Sequence, residues 1–380
     1  MSAARAVRVL HLHSTFSPGG KELRAAKLMN AFGAGAEHVV VSGVPGELGA
    51  AGAVDPAVAV TYPDDFPSLA GKPGPLRWWR IARAMQPFDL VLTYNWGSMD
   101  AVGARWLYRH VLRLPPLVHH EDGFNSDEAE GLKPIRNNFR RLTLRAAAAT
   151  VVPSRVLEAI ARSGWHVPEA RLRRIPNGIP LDEYRGGTPA ALPGLTKRPG
   201  ALWLGTMAGL RAVKNLPRLV RAFASLPSPW ELVIVGEGPE RTAIQAEAQR
   251  LGIGHRVHLP GFAAHPAQVL PLFDLFALSS DSEQFPISVV EAMAAGLAVV
   301  SPAVGDVIEI VAEENRPLIT APGNEAALAA ALGRTAVDAS LRAQIGAANR
   351  ARAQAEFGEE AMVAAYRKTY AAALGRRDFP

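Results

Sequence analysis

At 380 residues, 48% of them hydrophobic, the chain is too long for one ordinary core and suits two folded domains. It contains no cysteine, which excludes disulfides, thiol catalysis and cysteine-bound zinc and fits a reducing cytoplasm. Its net charge of +6 belongs to the first half, because residues 1–190 carry 23 Lys+Arg against 17 Asp+Glu whereas residues 191–380 carry 18 of each.

The chain opens on Val7-Arg8-Val9-Leu10-His11, which predicts a strand and not a signal segment. No run of about 18 apolar residues follows, so no membrane-spanning helix is expected. Short apolar runs at 7–12, 38–42, 89–93, 117–119 and 149–152 predict buried strands. Helical patterns lie between them, such as 21–33 with Leu28 and Phe32 on one face. Segment 133–145 sets Lys133, Arg136, Arg140, Arg141 and Arg145 among Ile135, Phe139 and Leu142. It reads as a basic amphipathic helix, either a plain solvated face or one that lies on anionic lipid. The charge of the first half has a matching pair of readings, an Arg-rich composition and nothing more, or a domain that meets an anionic membrane or acceptor. No aromatic-basic motif speaks for nucleic acid.

Stretches rich in Gly and Pro over 185–200 place the domain boundary near 180–200. The second half then repeats the scheme. Ala201-Leu202-Trp203-Leu204 is a strand, and Leu216, Leu219, Val220 and Phe223 fall on one helical face. Further strands are expected at 231–235, 256–259, 275–278 and 298–300, each followed by a turn and a helix, and a last helix at 359–374. Alternation of strand and helix predicts an α/β protein with parallel, doubly wound sheets, two Rossmann-like domains in all.

The chemistry concentrates in Ser282-Glu283-Gln284-Phe285-Pro286-Ile287-Ser288-Val289-Val290-Glu291, continuing to Gly296. Pro286 suits the first turn of a helix and Gly296 its C′ stop. The N–H groups near Ile287 and Ser288 would then face an anion at the helix start. Glu291, one to two turns in, is within reach of hydroxyls hanging from that anion, which is the layout of a nucleotide-sugar site. Gly19-Gly20 follows the first strand and opens a helix, where backbone can approach a ligand closely. His119-His120-Glu121-Asp122 admits a structural reading, a ligand-facing reading and a metal reading. Trp96, after a strand, admits acceptor stacking or plain packing. The pair Glu283 and Glu291 also admits a hydrolase reading, against which stands the phosphate-facing helix start.

These motifs together resemble the retaining glycosyltransferases of family 4, which have the GT-B fold. The resemblance rests on the Glu283-x7-Glu291 pair, on His11–Glu22 with its Gly19-Gly20 loop, on Val152-Pro153-Ser154 and Ile175-Pro176-Asn177-Gly178, and on Leu204-Gly205-Thr206 with Lys214-Asn215. Val235-Gly236-Glu237-Gly238-Pro239 and Leu259-Pro260-Gly261-Phe262 complete it. The order of the motifs spans residues from about 7 to 310.

The resemblance implies an N-terminal acceptor-binding domain over 1–185, joined by the crossing helix 359–374, and a donor-binding domain over 195–358, facing a central cleft. It implies that Lys214 neutralises the leaving diphosphate. The family's second cation is an arginine five residues earlier, where this chain has Gly209; Arg211 is the candidate replacement. Glu283 would lie by the transferred sugar and Glu291 on the donor ribose, with Phe285, Pro286, Ile287 and Ser288 around them. Glu237 and Gly261 would line the base and ribose, and Gly19 and Gly20 the diphosphate. The family histidine that faces the sugar falls at Asp122 by alignment on Gly123, with His120 two residues earlier, and either would contact the sugar. Trp96 and Arg140 are the acceptor-side candidates. The expected co-substrate is a UDP- or GDP-type sugar with no metal or other cofactor, and the acceptor a saccharide or lipid-linked glycan. The expected location is the cytoplasm, with peripheral contact at the inner face of an anionic membrane. Two rival readings stand, a non-catalytic sugar-nucleotide-binding or scaffold protein, motivated by Gly209 and Asp122, and a sugar-nucleotide epimerase.

Overall fold

A computed structural model describes residues 5–124, 128 and 132–380. The chain divides into two compact units, one of residues 1–177 with 360–380, the other of residues 178–359.

In the first unit the elements run β1 (Val7–His13), α1 (Gly20–Phe32), β2 (Ala36–Ser42), β3 (Val60–Thr61), α2 (Pro75–Met85), β4 (Leu90–Tyr94), α3 (Met99–Leu112) and β5 (Leu117–His120). Then follow α4 (Pro134–Thr143), β6 (Ala149–Val152), α5 (Arg155–Ser163) and β7 (Leu172–Arg174). The strands make one sheet in the order β3-β2-β1-β4-β5-β6-β7, with every pairing parallel. Strands β4, β5 and β6 are buried along their whole length, as parallel strands covered on both faces must be. This burial explains their near-continuous apolar sequence. The chain moves one way from β1 to β3 and the other way from β4 to β7, so the topological switch lies between β1 and β4.

The second unit runs β8 (Leu202–Met207), α6 (Leu216–Ala224), β9 (Trp230–Val235), α7 (Arg241–Arg250), β10 (Val257–Gly261), α8 (Pro266–Val269) and β11 (Leu275–Ala277). It continues through α9 (Ile287–Ala294), β12 (Val299–Pro302), α10 (Val307–Ile310), β13 (Ile319–Thr320), α11 (Glu325–Val337) and α12 (Ala339–Glu356). Its sheet has the order β10-β9-β8-β11-β12-β13, again parallel, with the switch between β8 and β11. The last helix, α13 (Glu359–Leu374), packs Met362, Val363, Tyr366 and Tyr370 into the core of the first unit beside α1.

The division lies just ahead of the Gly/Pro-rich stretch at 185–200. The division falls at Asn177–Gly178, where the outgoing and returning chains pair: Ile179 N donates to Phe357 O and Glu359 N to Ile179 O, both at 3.0 Å. A side chain at Gly178 would meet Gly358 O at 2.6 Å, so only glycine lets the two segments touch. The 185–200 stretch is bound into the second unit, by Thr188 N to Gln268 O at 2.8 Å and by Lys197 Nζ to Asp274 Oδ2 at 2.6 Å.

Candidate active site

The switch point of the second sheet gathers the charged residues singled out in sequence. After β8 the chain turns through Ala208–Arg211 to Lys214, and after β11 it runs through Ser279–Glu283 to α9. These two loops are stitched together. Asp281 N donates to Val213 O at 2.9 Å, Ser279 Oγ to Lys214 O at 2.9 Å, and Asn215 Nδ2 to Asp281 Oδ2 at 3.0 Å. Arg218 pairs with Asp281 at 2.6 Å. Across the seam Lys214 Nζ lies 2.5 Å from Glu283 Oε1, which also accepts from Ser280 Oγ at 2.7 Å. Both side chains are mostly buried, 16% and 12% exposed, so the pair is held more firmly than a surface ion pair would be. Gly305, at φ +54°, lets the next loop pass beneath: a Cβ there would meet Glu283 O and Gln284 O at 2.6 Å, and Asp306 N donates to Gln284 O at 3.0 Å.

Helix α9 begins at Ile287, with Pro286 as its N-cap (φ −70°, ψ 102°) one position earlier than the first-turn place expected of it. Gly296 stands at C′ with φ +78°. The α-helical pattern leaves the N–H groups of Ile287 and Ser288 without intrahelical acceptors. Phe285 packs edge-on against Phe357, 5.9 Å between centroids, which fixes the entry to the helix. One turn in, Glu291 Oε1 accepts from the Tyr184 hydroxyl at 3.0 Å. Burial and the Glu291 charge push the Tyr184 phenol far above its ordinary range, so it is a permanent donor.

Arg211 and Gly209 are both exposed, and Arg211 folds back: its Nε lies 3.7 Å from where a Cβ on Gly209 would stand. The guanidinium therefore occupies the space into which a side chain from position 209 would grow. Glu237 Oε1 accepts from Arg241 Nη1 at 2.9 Å, and Gly261, at φ +97°, brings its backbone to the same carboxylate, with a Cβ there 3.2 Å from Glu237 Oε1.

In the first unit the expected ligand-facing residues are engaged with one another. Glu22, buried in the first turn of α1, folds over Gly19; a Cβ on Gly19 would stand 2.7 Å from Glu22 Oε2, and Lys21 pairs with the same carboxylate. The start of α1 behind Gly19 and Gly20 thus carries an anion of its own. His120 is not placed to face a sugar. It is 1% exposed, and its Nδ1 and Nε2 lie 3.1 Å from Thr93 O and 2.9 Å from the Tyr370 hydroxyl. Burial, then the nearby Arg24, lowers it to about 3, so the ring is neutral. Asp122 binds Arg24 through both oxygens, Nη2 to Oδ2 at 2.8 Å, and Arg24 Nη1 also donates to Asn177 Oδ1 at 2.9 Å. Burial favours the neutral acid, but the guanidinium outweighs it and holds Asp122 below the usual carboxylate range. His119 lies 3.6 Å from Glu121, and among the described residues no three His, Cys, Asp or Glu side chains converge as metal ligands would.

Arg140 is likewise withdrawn from the acceptor side. It is fully buried, donates from Nε to Glu121 Oε2 at 3.0 Å, and lies over Trp96, Phe124 and Trp165 at 5.1, 5.4 and 5.0 Å. Trp96 is half-buried under Arg136, at 5.0 Å, and beside Phe139, at 5.7 Å, so its ring is already packed. The helix pattern of 133–145 was ambiguous because arginine covers apolar rings with its stem and plane as well as any aliphatic chain does.

Two family models match: "Glycosyltransferase Family 4" over residues 18–183 and "Glycosyl transferases group 1" over residues 195–352. The chain belongs to glycosyltransferase family 4. Among curated relatives of this family-4 chain, the N-acetyl-alpha-D-glucosaminyl L-malate synthase of Bacillus anthracis is 28% identical over 43% of this chain and 44% of its own length. The D-inositol 3-phosphate glycosyltransferase of Xylanimonas cellulosilytica is 30% identical over 54% of this chain and 52% of its own. The chain spans about half the length of the curated relatives it matches. Among solved structures, Anabaena HepE in complex with UDP has a TM-score of 0.79 at 22% identity, covering 96% of this chain and 100% of that one. Sucrose-phosphate synthase from Thermosynechococcus elongatus has a TM-score of 0.76 at 22% identity over 96% and 100%. These likenesses show the GT-B fold, two parallel-sheet Rossmann-like domains.

Three residues of the candidate site escaped sequence reasoning: Tyr184, Ser280 and Asp281. Ser280 and Asp281 sit directly before the Glu283 motif, and their polarity after the buried strand β11 was the available signal. Tyr184 lies in the stretch read as linker, where no periodicity marks it as packed.

Proposed function

We propose that this chain is a retaining glycosyltransferase that moves a sugar from a nucleotide-diphosphate donor, of UDP or GDP type, to a hydroxyl of a saccharide or lipid-linked acceptor. The setting would be bacterial exopolysaccharide or envelope glycan synthesis in the cytoplasm, at the inner face of the membrane. The observation that carries the reading is the Lys214–Glu283 pair at the switch point of the second sheet, one helix start away from Glu291. The names of the relatives support it, since sugar transferases recur among them.

In this reading the diphosphate lies between Lys214 and the start of α9. An ammonium has three donors, so Lys214 can keep Glu283 and still face a phosphate oxygen. Arg211, swung over Gly209, supplies the second cation. As the glycosidic bond breaks, negative charge grows on the leaving diphosphate, and these fixed cations and helix N–H groups stabilise it without rearranging. Glu291, oriented by Tyr184, accepts from the ribose hydroxyls. Glu283 stands on the sugar side of the phosphate. The acceptor hydroxyl attacks from the leaving-group side and passes its proton to a donor phosphate oxygen, so positioning takes the place of a strong base. No metal or other cofactor is called for.

A second reading, a non-catalytic sugar-nucleotide binder, draws on Gly209 and on Glu22 filling the start of α1. A thermal-shift screen against UDP, GDP, ADP and their sugar conjugates tests the donor site, since a ligand of the folded state raises the melting temperature. A shift with one nucleotide, lost in Glu291→Ala, supports the site. No shift with any nucleotide refutes it. Donor binding without transfer or donor hydrolysis in any acceptor extract favours the second reading.

A further inference from the structure

The outer surface of the helix layer α2–α3–α4 is the feature that the donor chemistry does not use. Right-handed crossovers place the helices that lead into β4 through β7 on one face of the first sheet. The core agrees: Ile81 and Met85 of α2, Val102 of α3 and Leu157 of α5 share one cluster, whereas α1 and α13 pack in another. Neighbouring helices of the layer touch directly. The Trp79 and Tyr108 rings join α2 to α3 at 5.2 Å, and a Cβ on Gly103 would meet the Phe139 ring of α4 at 3.0 Å.

With that inner side filled, five large apolar side chains point the other way. Leu76 of α2 is 65% exposed, Leu107 and Val111 of α3 40% and 72%, and Ile135 and Leu142 of α4 84% and 47%. A single exposed leucine is ordinary, but five on three adjoining helices form a surface. On these three helices the charge is almost all of one sign. Helices α2, α3 and α4 carry three, two and three arginines and a single acidic residue, Asp100. That carboxylate is taken, accepting from Arg77 Nη1 and Trp78 Nε1 at 2.7 Å each. Arg80, Arg83 and Arg141 stand exposed among the apolar tips.

We propose that this face is the docking surface for an anionic phospholipid membrane. Separate apolar tips set among arginines, with no exposed carboxylate on the three helices, suit a fluid interface that accepts aliphatic groups between headgroups and pairs arginine with phosphate. No helix among the described residues is long and apolar enough to cross a membrane, so attachment by this face is interfacial. The proposal rests on the transferase reading only in what it adds to it, a lipid-linked acceptor presented at the surface to which the enzyme is bound.

The test is co-sedimentation of the full chain with vesicles of phosphatidylcholine alone and with vesicles that also contain phosphatidylglycerol. Binding to the phosphatidylglycerol vesicles, weakened by salt, is expected. Arg80→Gln, Arg83→Gln and Arg141→Gln should each weaken it about fivefold, the scale of one arginine near an anionic surface. The triple variant Val111→Ser/Ile135→Ser/Leu142→Ser should weaken it at least tenfold. These residues are exposed, so melting temperature and any nucleotide-induced shift should match the parent, which separates failure of docking from failure of the donor site. Absence of binding by the parent, equal binding by the triple variant, or equal binding to phosphatidylcholine alone overturns the proposal. Self-association of the parent that the triple variant abolishes, without vesicle binding, would give the face to a second copy and also overturn it.

Discussion

Replacing Tyr184 by Phe removes one oxygen from a residue that is 4% exposed and leaves its ring packing in place. What is lost is the 3.0 Å hydrogen bond that fixes one oxygen of Glu291. A hydrogen bond to a charged group contributes roughly 1.5–3 kcal/mol to the arrangement it holds. Glu291 is only half-buried, so water returns part of this, and about 1 kcal/mol should remain as loss of carboxylate orientation. One kilocalorie corresponds to about fivefold in affinity. The expected result is a nucleotide Kd raised about fivefold with turnover at saturating donor unchanged. The diagnostic measurement is calorimetric titration of the nucleotide that binds, together with its 2′-deoxy and 3′-deoxy forms. If Tyr184 acts by aiming Glu291 at the ribose, the parent's preference for ribose shrinks in Tyr184→Phe and vanishes in Glu291→Gln. An unchanged ribose-to-deoxyribose ratio in Tyr184→Phe would refute the reasoning, because general loosening of the site weakens all three ligands alike.

Lys214→Ala should lower turnover by about a hundredfold or more, the scale of losing one preorganised charge-stabilising group, while shifting the melting temperature little. A steady-state assay beside a thermal melt checks it, and a parent-like rate would remove Lys214 from the chemistry. Arg211→Ala should also cut turnover, and Gly209→Arg in that background should recover part of it, since the guanidinium already fills the space ahead of position 209; no recovery would mean that Arg211 acts from another place. The histidine core predicts acid lability of the first unit. Burial lowers His38 to about 4, and burial with Arg24 lowers His120 to about 3, so both are neutral in the fold and take up protons on unfolding. Below the ordinary value of about 6.5 the unfolded chain binds more protons, so stability is full above that pH and falls toward pH 4 and then 3, by at most about 1.4 kcal/mol per pH unit for each ring. Urea melts at pH 7.5 and pH 5 should show an earlier midpoint in acid, and coincident curves would refute it.

What was legible in the sequence is what depends on pattern along the chain. Buried parallel strands need apolar runs, and β4, β5 and β9 are read directly from theirs. Lys214 and Glu283 were found through the motifs that carry the family resemblance, and Glu291 through its place past Pro286. The first two lie in the loops after β8 and β11 and the third in the helix that follows, where a doubly wound sheet puts its ligand side. Register across the chain was hidden. Tyr184 and Glu291 are 107 positions apart, and nothing local to either announces the other. The two-residue strands β3 and β13 are too short for any period to show.

The misplaced residues share one cause, which is that polarity in the sequence says little about burial once a polar group has partners in the fold. Two adjacent histidines at the end of β5 look like a ligand edge. Alternation sends their rings to opposite faces of a sheet that is covered on both, so His119 meets Thr93 and His120 meets Tyr370. Tyr370 arrives from a helix 250 residues later, so no window of sequence contains that contact. Arg140 is the same problem on a helix. It is fully buried against Glu121, while Ile135 and Leu142, apolar residues of the same helix, are exposed. Burying a guanidinium is tolerable only with an anion and rings to receive it, and Glu121, Trp96 and Trp165 supply them from three other segments. Turning Arg140 inward thereby turns Ile135 and Leu142 outward, because residues five before and two after it on a helix lie away from its own face. The internal ion pair and the exposed apolar face are therefore one structural choice, and removing Glu121 should disturb both.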